Sequence, residues 1–366
     1  MVLIEMQRKS GLAKLFGILL KIGLLPLLFD KETTQLKFKI FSKPVYLSWF
    51  YSYLSISVFA FFNIYMFGIV PWTTFFEILF SSSNKTDALA YFALIIFVFL
   101  TNFCYPIFLR DVIKISSNLT LNKNLKWPKH GVKLVFVSTL NTFAVIIWSI
   151  LTFKSAILSR PNFGNFDITW MIIGNSTIIL LQQVYLFILL LFSLTWIDNF
   201  TFICQDIKTT NIFRHSLLSM EIFKSLQNGL GRTFLITFSA LQFLTILSLY
   251  MSISTMFYGT SGIFYNVSIS LCYIIMVTYN ATILYCLTDA AEEAFESIKT
   301  LETYLMDLIS QENTNSSFKI RTLIKEIDNV KPLNGNGYFQ LKKETLTSII
   351  STIVTYLIIL LQFKNA

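Results

Sequence analysis

Apolar runs recur along the whole chain, separated by short polar connections, and this alternation is its strongest pattern. Seven such runs stand out, over residues 44–70, 87–109, 131–153, 168–196, 231–258, 262–288 and 345–363. Each meets the requirement of roughly 20 mostly apolar residues for a helix that crosses a bilayer. The pattern predicts an all-α membrane protein with seven transmembrane helices. The fourth, fifth and sixth runs are long enough to tilt or to continue as helix beyond the membrane.

The last run differs from the others. Ser348, Thr352, Thr355, Ile359 and Gln362 are spaced by four, three, four and three, so they fall on one helical face. A lipid-facing helix gains nothing from such a stripe. Two readings fit it. The small residues Ser348, Ser351, Thr352 and Thr355 permit close packing against a neighbouring helix; alternatively, copies of this helix surround an axis and the stripe lines a water-filled pore. Gln362 near the outer end favours the pore, because an amide needs partners or water. Phe363 beside it supplies an apolar constriction of the kind that gates by dewetting.

Composition sharpens the class. Only 13% of the 366 residues are charged and 54% are hydrophobic, against about 25% charged in an ordinary soluble domain. The formal charge of +9 comes from loop residues rather than from a basic patch interleaved with exposed aromatics, so a nucleic-acid partner is not indicated. Of the 29 Lys and Arg, 25 fall on the N-terminal stretch and on the second, fourth and sixth connections with the span ends beside them. The positive-inside rule then places the N-terminus in the cytosol and the C-terminus outside. The sequon Asn84-Lys85-Thr86 falls in the first outer loop, which agrees with this topology. Gly11 to Phe29, apolar but broken by Lys14, Lys21 and Pro26, reads as an interfacial segment rather than a cleaved signal.

Enzyme chemistry finds little to work with. His130 and His215 are the only histidines, and neither stands at ligand spacing from a Cys or an acidic cluster, so no metal or cofactor is expected. The four cysteines form no CxxC and no outer pair. Gly229-Leu230-Gly231-Arg232 reads as a turn or helix start, and Asn334-Gly335-Asn336-Gly337 as a flexible loop. Asp289, Glu292, Glu293 and Glu296 share a face just past the sixth span; a solvated face with Glu296 and Lys299 paired is the simpler reading.

Placed by depth, polar and aromatic residues gather in the outer halves of the second to sixth spans. Tyr91, Trp148, Trp170, Asn175, Tyr250, Tyr258, Tyr265 and Asn266 would line an aromatic pocket with a few hydrogen-bonding groups, the make-up of a small-molecule site. The competing reading is an interfacial aromatic belt, which fits Trp170 and Tyr258 near helix ends at least as well; Trp148 and Tyr250 lie deeper. Asn102, Asn141, Gln182, Gln183, Gln242 and Asn280 read as interhelical hydrogen-bonding groups.

Thr355-Tyr356, five apolar residues from Leu357 to Leu361, then Gln362-Phe363 resembles the T-Y-(five apolar)-Q-F signature of insect gustatory receptors. Chain length, seven N-in spans and short outer loops are similar to that family too. The resemblance implies a homotetrameric or heterotetrameric ligand-gated cation channel, assembled alone or with other gustatory receptors in the plasma membrane of sensory neurons. It implies a pore lined by the last helices, with Thr352, Thr355, Ile359 and Gln362 on its wall and Phe363 at the gate. Thr355 and Tyr356 would hold that helix against its neighbours. Residues 44–288, with the cytosolic loop 197–230, would form the ligand-binding bundle; 289–344 the cytosolic anchor; 345–366 the pore helix and outer tail; 1–43 the cytosolic N-terminus. Sugar-sensing members carry Glu directly after the T-Y pair where this chain has Leu357, which favours a bitter-type or unassigned tastant over a sugar. The alternative class, a G-protein-coupled receptor, predicts N-out topology, D-R-Y after the third helix and N-P-x-x-Y in the seventh; none is present.

Overall fold

The computed structural model describes residues 18–19, 24, 28–30, 35–37, 42–67, 101–102, 104–107, 109–110, 128–158, 165–205, 212–258, 262–311 and 317–365. Tyr91, Asn84 and most of the second expected span lie outside the described residues, as does most of the segment 11–29. Where that segment ends, Leu28–Asp30 (β1) pairs antiparallel with Gln35–Lys37 (β2), a small departure from an all-α chain.

Helices build the rest. They are α1 (Lys43–Phe67), α2 (Gly131–Leu158), α3 (Asn165–Gln205), α4 (Ile212–Tyr258), α5 (Ile263–Gln311), the short α6 (Ser317–Asp328) and α7 (Lys343–Asn365). Five of them, α2 to α5 and α7, are long and apolar enough to cross a membrane. The central three run on past their spans, at 41, 47 and 49 residues, or roughly 60–75 Å at 1.5 Å per residue. Gly229 and Gly231, expected at a turn or a helix start, lie inside the unbroken α4. Propensity disfavours glycine mid-helix, but packing overrides it.

The bundle is assembled by α4 against α5 most extensively, α2 against α3 and α5, and α3 against α1. One core runs from the apolar middle of α3 (Leu190, Leu191, Phe192) into the projecting ends of α4 and α5. There Ala290, Ala291 and Ala294 are fully buried, small enough to let α5 approach its neighbours closely. Phe223, Leu226, Ile298, Leu301 and Ile327 close this end and are fully buried as well. Outside lipid, each gains about 1.5–3 kcal/mol from burial; inside lipid that drive is absent, and packing and hydrogen bonds hold the helices. Accordingly Tyr105 and Tyr185 stack at 4.0 Å, and the Tyr185 hydroxyl donates to the Ser48 carbonyl at 3.1 Å, tying α3 to α1.

The segment before α7 is ordered, contrary to the flexible loop expected from its Asn and Gly. Asn334 accepts from the Gly337 N–H at 2.7 Å, and Asn336 and Gly337 take φ values of 52° and 87°, the left-handed region that these two residues tolerate. This turn lies on α4 at Gly231, where an added Cβ would come 3.2 Å from the Asn336 nitrogen. The glycine is there for a close approach of backbone to backbone.

Candidate functional site

Two features face each other across α4: a pocket on one side and α7 on the other. The pocket lies among α2, α3, α4 and α5, and it holds ≈ 70 Å³ open to the centres of water molecules within ≈ 720 Å³ of unfilled space that includes its mouth. Each helix contributes residues one or two turns apart. Asn141 and Trp148 come from α2, Gln183 and Ile179 from α3, Leu244 and Met251 from α4, Asn280 and Tyr273 from α5. These spacings of four or seven keep each pair on one face. Because α2 and α4 run opposite to α3 and α5, the amides collect toward one end, with Tyr279 beside Asn280, and Trp148, Met251 and Tyr273 toward the other.

At the aromatic end, Trp148 Nε1 donates to the Tyr273 hydroxyl at 3.0 Å, with the rings edge-on at 6.2 Å. At the amide end, Asn141 Oδ1, Gln183 Oε1 and the Tyr279 hydroxyl are buried with no hydrogen-bond partner among the described residues. The pocket lining includes Asn141, Gln182, Gln183 and Asn280, all assigned from sequence to interhelical bonding. What identified them was visible, since all four sit mid-span; what was missing was the rotation that turns them toward one space.

The eight residues expected to bind ligand do not share one environment. Trp148 lines the pocket. Tyr265 packs on the Trp148 cluster from α5, and Asn266 beside it is buried. Tyr250, fully buried, points instead to the seam with α7, where it and Leu247 meet Leu357, Leu360 and Leu361. Tyr258 ends α4 with 48% of its surface exposed, as a belt residue would. Trp170 and Asn175 lie on α3 where side chains are outside the described residues, and Tyr91 lies outside them altogether.

α7 lies against α4 and, less extensively, α5. It is hardly covered: 6% of its apolar window is buried within the chain, against 67% for the α3 window. Its packed face carries Leu346, Ile349, Ile353, Leu357 and Leu360, spaced by three, four, four and three. At 100° per residue the stripe Ser348, Thr352, Thr355, Ile359, Gln362 falls on the opposite side. Thr355, Ile359 and Gln362 are exposed and Thr352 half-buried; Phe363 lies on α7, but its side chain is outside the described residues. Thr352 and Thr355 donate to the carbonyls of Ser348 and Ser351, both at 2.9 Å, so these hydroxyls are satisfied without a partner helix. Tyr356, 54% exposed, and the flank Ile350, Val354 and Ile358 also face away from the bundle.

The base of α7 is held by charge. Lys343 Nζ lies 2.9 Å from Asp289 Oδ1 and 3.5 Å from Glu292 Oε2 on α5. The other oxygen of Asp289 meets His130 Nε2 at 2.9 Å, just before α2. Lys129 completes the cluster, its Nζ 2.8 Å from Glu293 and its N–H donating to Asp198 at 2.7 Å. The acidic run after the sixth span is thus a junction of α2, α5 and α7 rather than a merely solvated face. Lys299 reaches Glu302 and Asp328, at 3.4 and 3.3 Å. Burial works against the ionisation of Asp289, yet the hydrogen bond and charge of Lys343, aided by His130, hold its pKa below the ordinary carboxylate value. Lys129 is raised, first by its hydrogen bond to Glu293. Among the described residues no group of three His, Cys, Asp or Glu is placed to hold a metal ion.

No protein-family model and no curated protein matches the sequence. Among solved structures the chain is similar to the insect olfactory receptor OR5 from Machilis hrabei, with a TM-score of 0.62 and 13% identity over 97% of this chain and 100% of that one. It is similar to the same receptor in complex with eugenol at a TM-score of 0.59 and 14% identity, with the same coverage. Residue-level roles do not transfer at such identity, but backbone architecture does: over nearly its whole length this chain has the fold of an insect olfactory receptor.

Proposed function

We propose that this chain is a chemosensory receptor of the gustatory type, a subunit of a ligand-gated, non-selective cation channel opened by a small tastant. The observation that carries the reading is α7, an apolar helix of spanning length whose polar stripe faces away from its own bundle. With Thr352 and Thr355 bonded to their own helix, it is the exposed amide of Gln362 that calls for water or another subunit in the membrane. Four copies around an axis, as a homotetramer or with other gustatory receptors, would place Thr352, Thr355, Ile359 and Gln362 on a pore and Phe363 at its gate. Tyr356 and the exposed flank of Ile350, Val354 and Ile358 would meet neighbouring subunits or lipid. The likeness to an olfactory receptor seen with eugenol supports a small-molecule ligand.

In this reading seven helices span the plasma membrane of a sensory neuron, with the N-terminus inside and the C-terminus outside. Residues 44–288 form the ligand-binding bundle and 289–344 the cytosolic anchor. α4 is the wall between ligand and pore. Leu247 lines the pocket and also packs with Tyr250 against Leu357, Leu360 and Leu361 of α7. A ligand that fits the pocket better when α4 is displaced therefore shifts the population toward a displaced α7. The T-Y-(five apolar)-Q-F signature and Leu357 in place of Glu favour a gustatory receptor of bitter or unassigned type.

The test is whole-cell recording from cells expressing the chain, with sugars and bitter compounds applied while G-protein signalling is blocked. A rapid cation current that survives the block supports the channel. A response that vanishes with the block returns the G-protein-coupled reading.

A further inference from the structure

We infer that the pocket among α2, α3, α4 and α5 selects an uncharged ligand with a hydrogen-bond donor, a hydroxyl or an N–H, at one end of an apolar body about 10 Å long. The inference rests on the reading of this pocket as the receptor's ligand site, and it adds the chemistry of the ligand.

Three observations carry it. First, Asn141 is 2% exposed, and its Oδ1 is buried without a partner among the described residues; Gln183 Oε1 is buried in the same way on the facing helix. Both residues line the pocket. Two unmet amide oxygens from different helices, with the buried and equally unmet hydroxyl of Tyr279 in the same lining, bear a desolvation cost that a ligand hydroxyl, donating to an oxygen and accepting from Tyr279, would remove. Second, the fourteen described lining residues include no Asp, Glu, Lys, Arg or His. A carboxylate or ammonium ligand would give up its hydration with no opposite charge to meet. Third, the other end of the pocket is apolar and aromatic, where Trp148 and Tyr273 already satisfy each other through a 3.0 Å hydrogen bond. From Asn141 to Trp148 is seven residues along α2, which is about 10 Å and sets the length of the apolar body.

The test uses the purified full-length protein and matched sets of compounds on three scaffolds, phenylpropyl, octyl and monoterpene. Each set holds an alcohol, its methyl ether, a carboxylate and an ammonium analogue. Binding is read from ligand-dependent thermal shifts, which do not require gating, and currents are recorded in parallel. The alcohol of at least one scaffold should bind about tenfold or more tightly than its ether, with the charged analogues weaker still. In Asn141→Leu, and separately in Gln183→Leu, the alcohol's advantage should shrink. Equal binding of alcohol and ether on all scaffolds, preference for a charged analogue, or no binding by any set overturns the inference; should a Leu variant fail to fold, the wild-type comparison decides alone. Donor-selective binding without any current would leave this inference standing and remove the channel reading, while a current without donor preference would do the reverse.

Discussion

Replacing Asp289 by Ala breaks the junction of α2, α5 and α7 at its centre. The His130 side chain is 4% exposed, and its Nε2 meets Asp289 at 2.9 Å. Without the carboxylate this nitrogen is left buried and unpaired, which costs about 1–3 kcal/mol. The Lys343 arm, with 54% of its side chain exposed, simply returns to solvent and adds little. Asp289→Asn keeps an acceptor for His130 and should retain most of the stability. The expected order of melting temperatures for the purified protein is therefore wild type, Lys343→Gln slightly below it, then Asp289→Asn, then Asp289→Ala lower by a few degrees. Acid should narrow the difference. Because the folded pKa of Asp289 is depressed, its contribution is complete above the unfolded value of about 3.9. It is lost as the pH falls through the lower folded value. An Asp289→Ala protein that melts like wild type, or a Lys343→Gln protein that melts as low as Asp289→Ala, would refute the claim that the buried histidine is what the carboxylate supports.

Gln362→Ala should alter ion selectivity or rectification with surface expression intact; unchanged permeation moves the pore to another helix. Tyr273→Phe removes the acceptor for Trp148 Nε1 with little loss of ring packing, and one hydrogen bond of about 0.5–1.5 kcal/mol should shift an agonist dose–response by up to roughly tenfold. No shift there, with binding retained, would detach the aromatic end from the ligand. Gly231→Ala should lower the melting temperature, since its Cβ would meet backbone at 3.2 Å, whereas Gly262→Ala, with nothing within 4 Å, should not; equal effects would mean that the turn at 334–337 does not press on α4.

Periodicity made some of this molecule legible and left some hidden. The stripe on α7 could be read in advance because that helix mixes polar and apolar residues at a spacing of three and four, so its two faces differ. In the spans of α2 and α4 that contrast is weaker, and helices apolar nearly all round carry little signal of their rotation. Tyr250 and Trp148 therefore looked alike by depth, although one turns to α7 and the other to the pocket. Glycine and asparagine misled for another reason. At Gly231 and at 334–337 they serve a close approach between distant segments, while local propensity reads a turn or helix start at the first and a loop at the second.

The sequence by itself determined that the chain is a set of membrane-length helices, which side of α7 is polar, and where the positive charge lies along the chain. Those properties depend on composition and on neighbours three or four residues away. Tertiary structure alone decided that Asn141, Gln183 and Asn280 share one pocket, that α4 is a single wall between that pocket and α7, and that Asp289 joins His130 to Lys343. These are contacts between residues far apart in the chain, such as the 159 positions from His130 to Asp289. They are set by how helices rotate and pack together, a choice that no local pattern records.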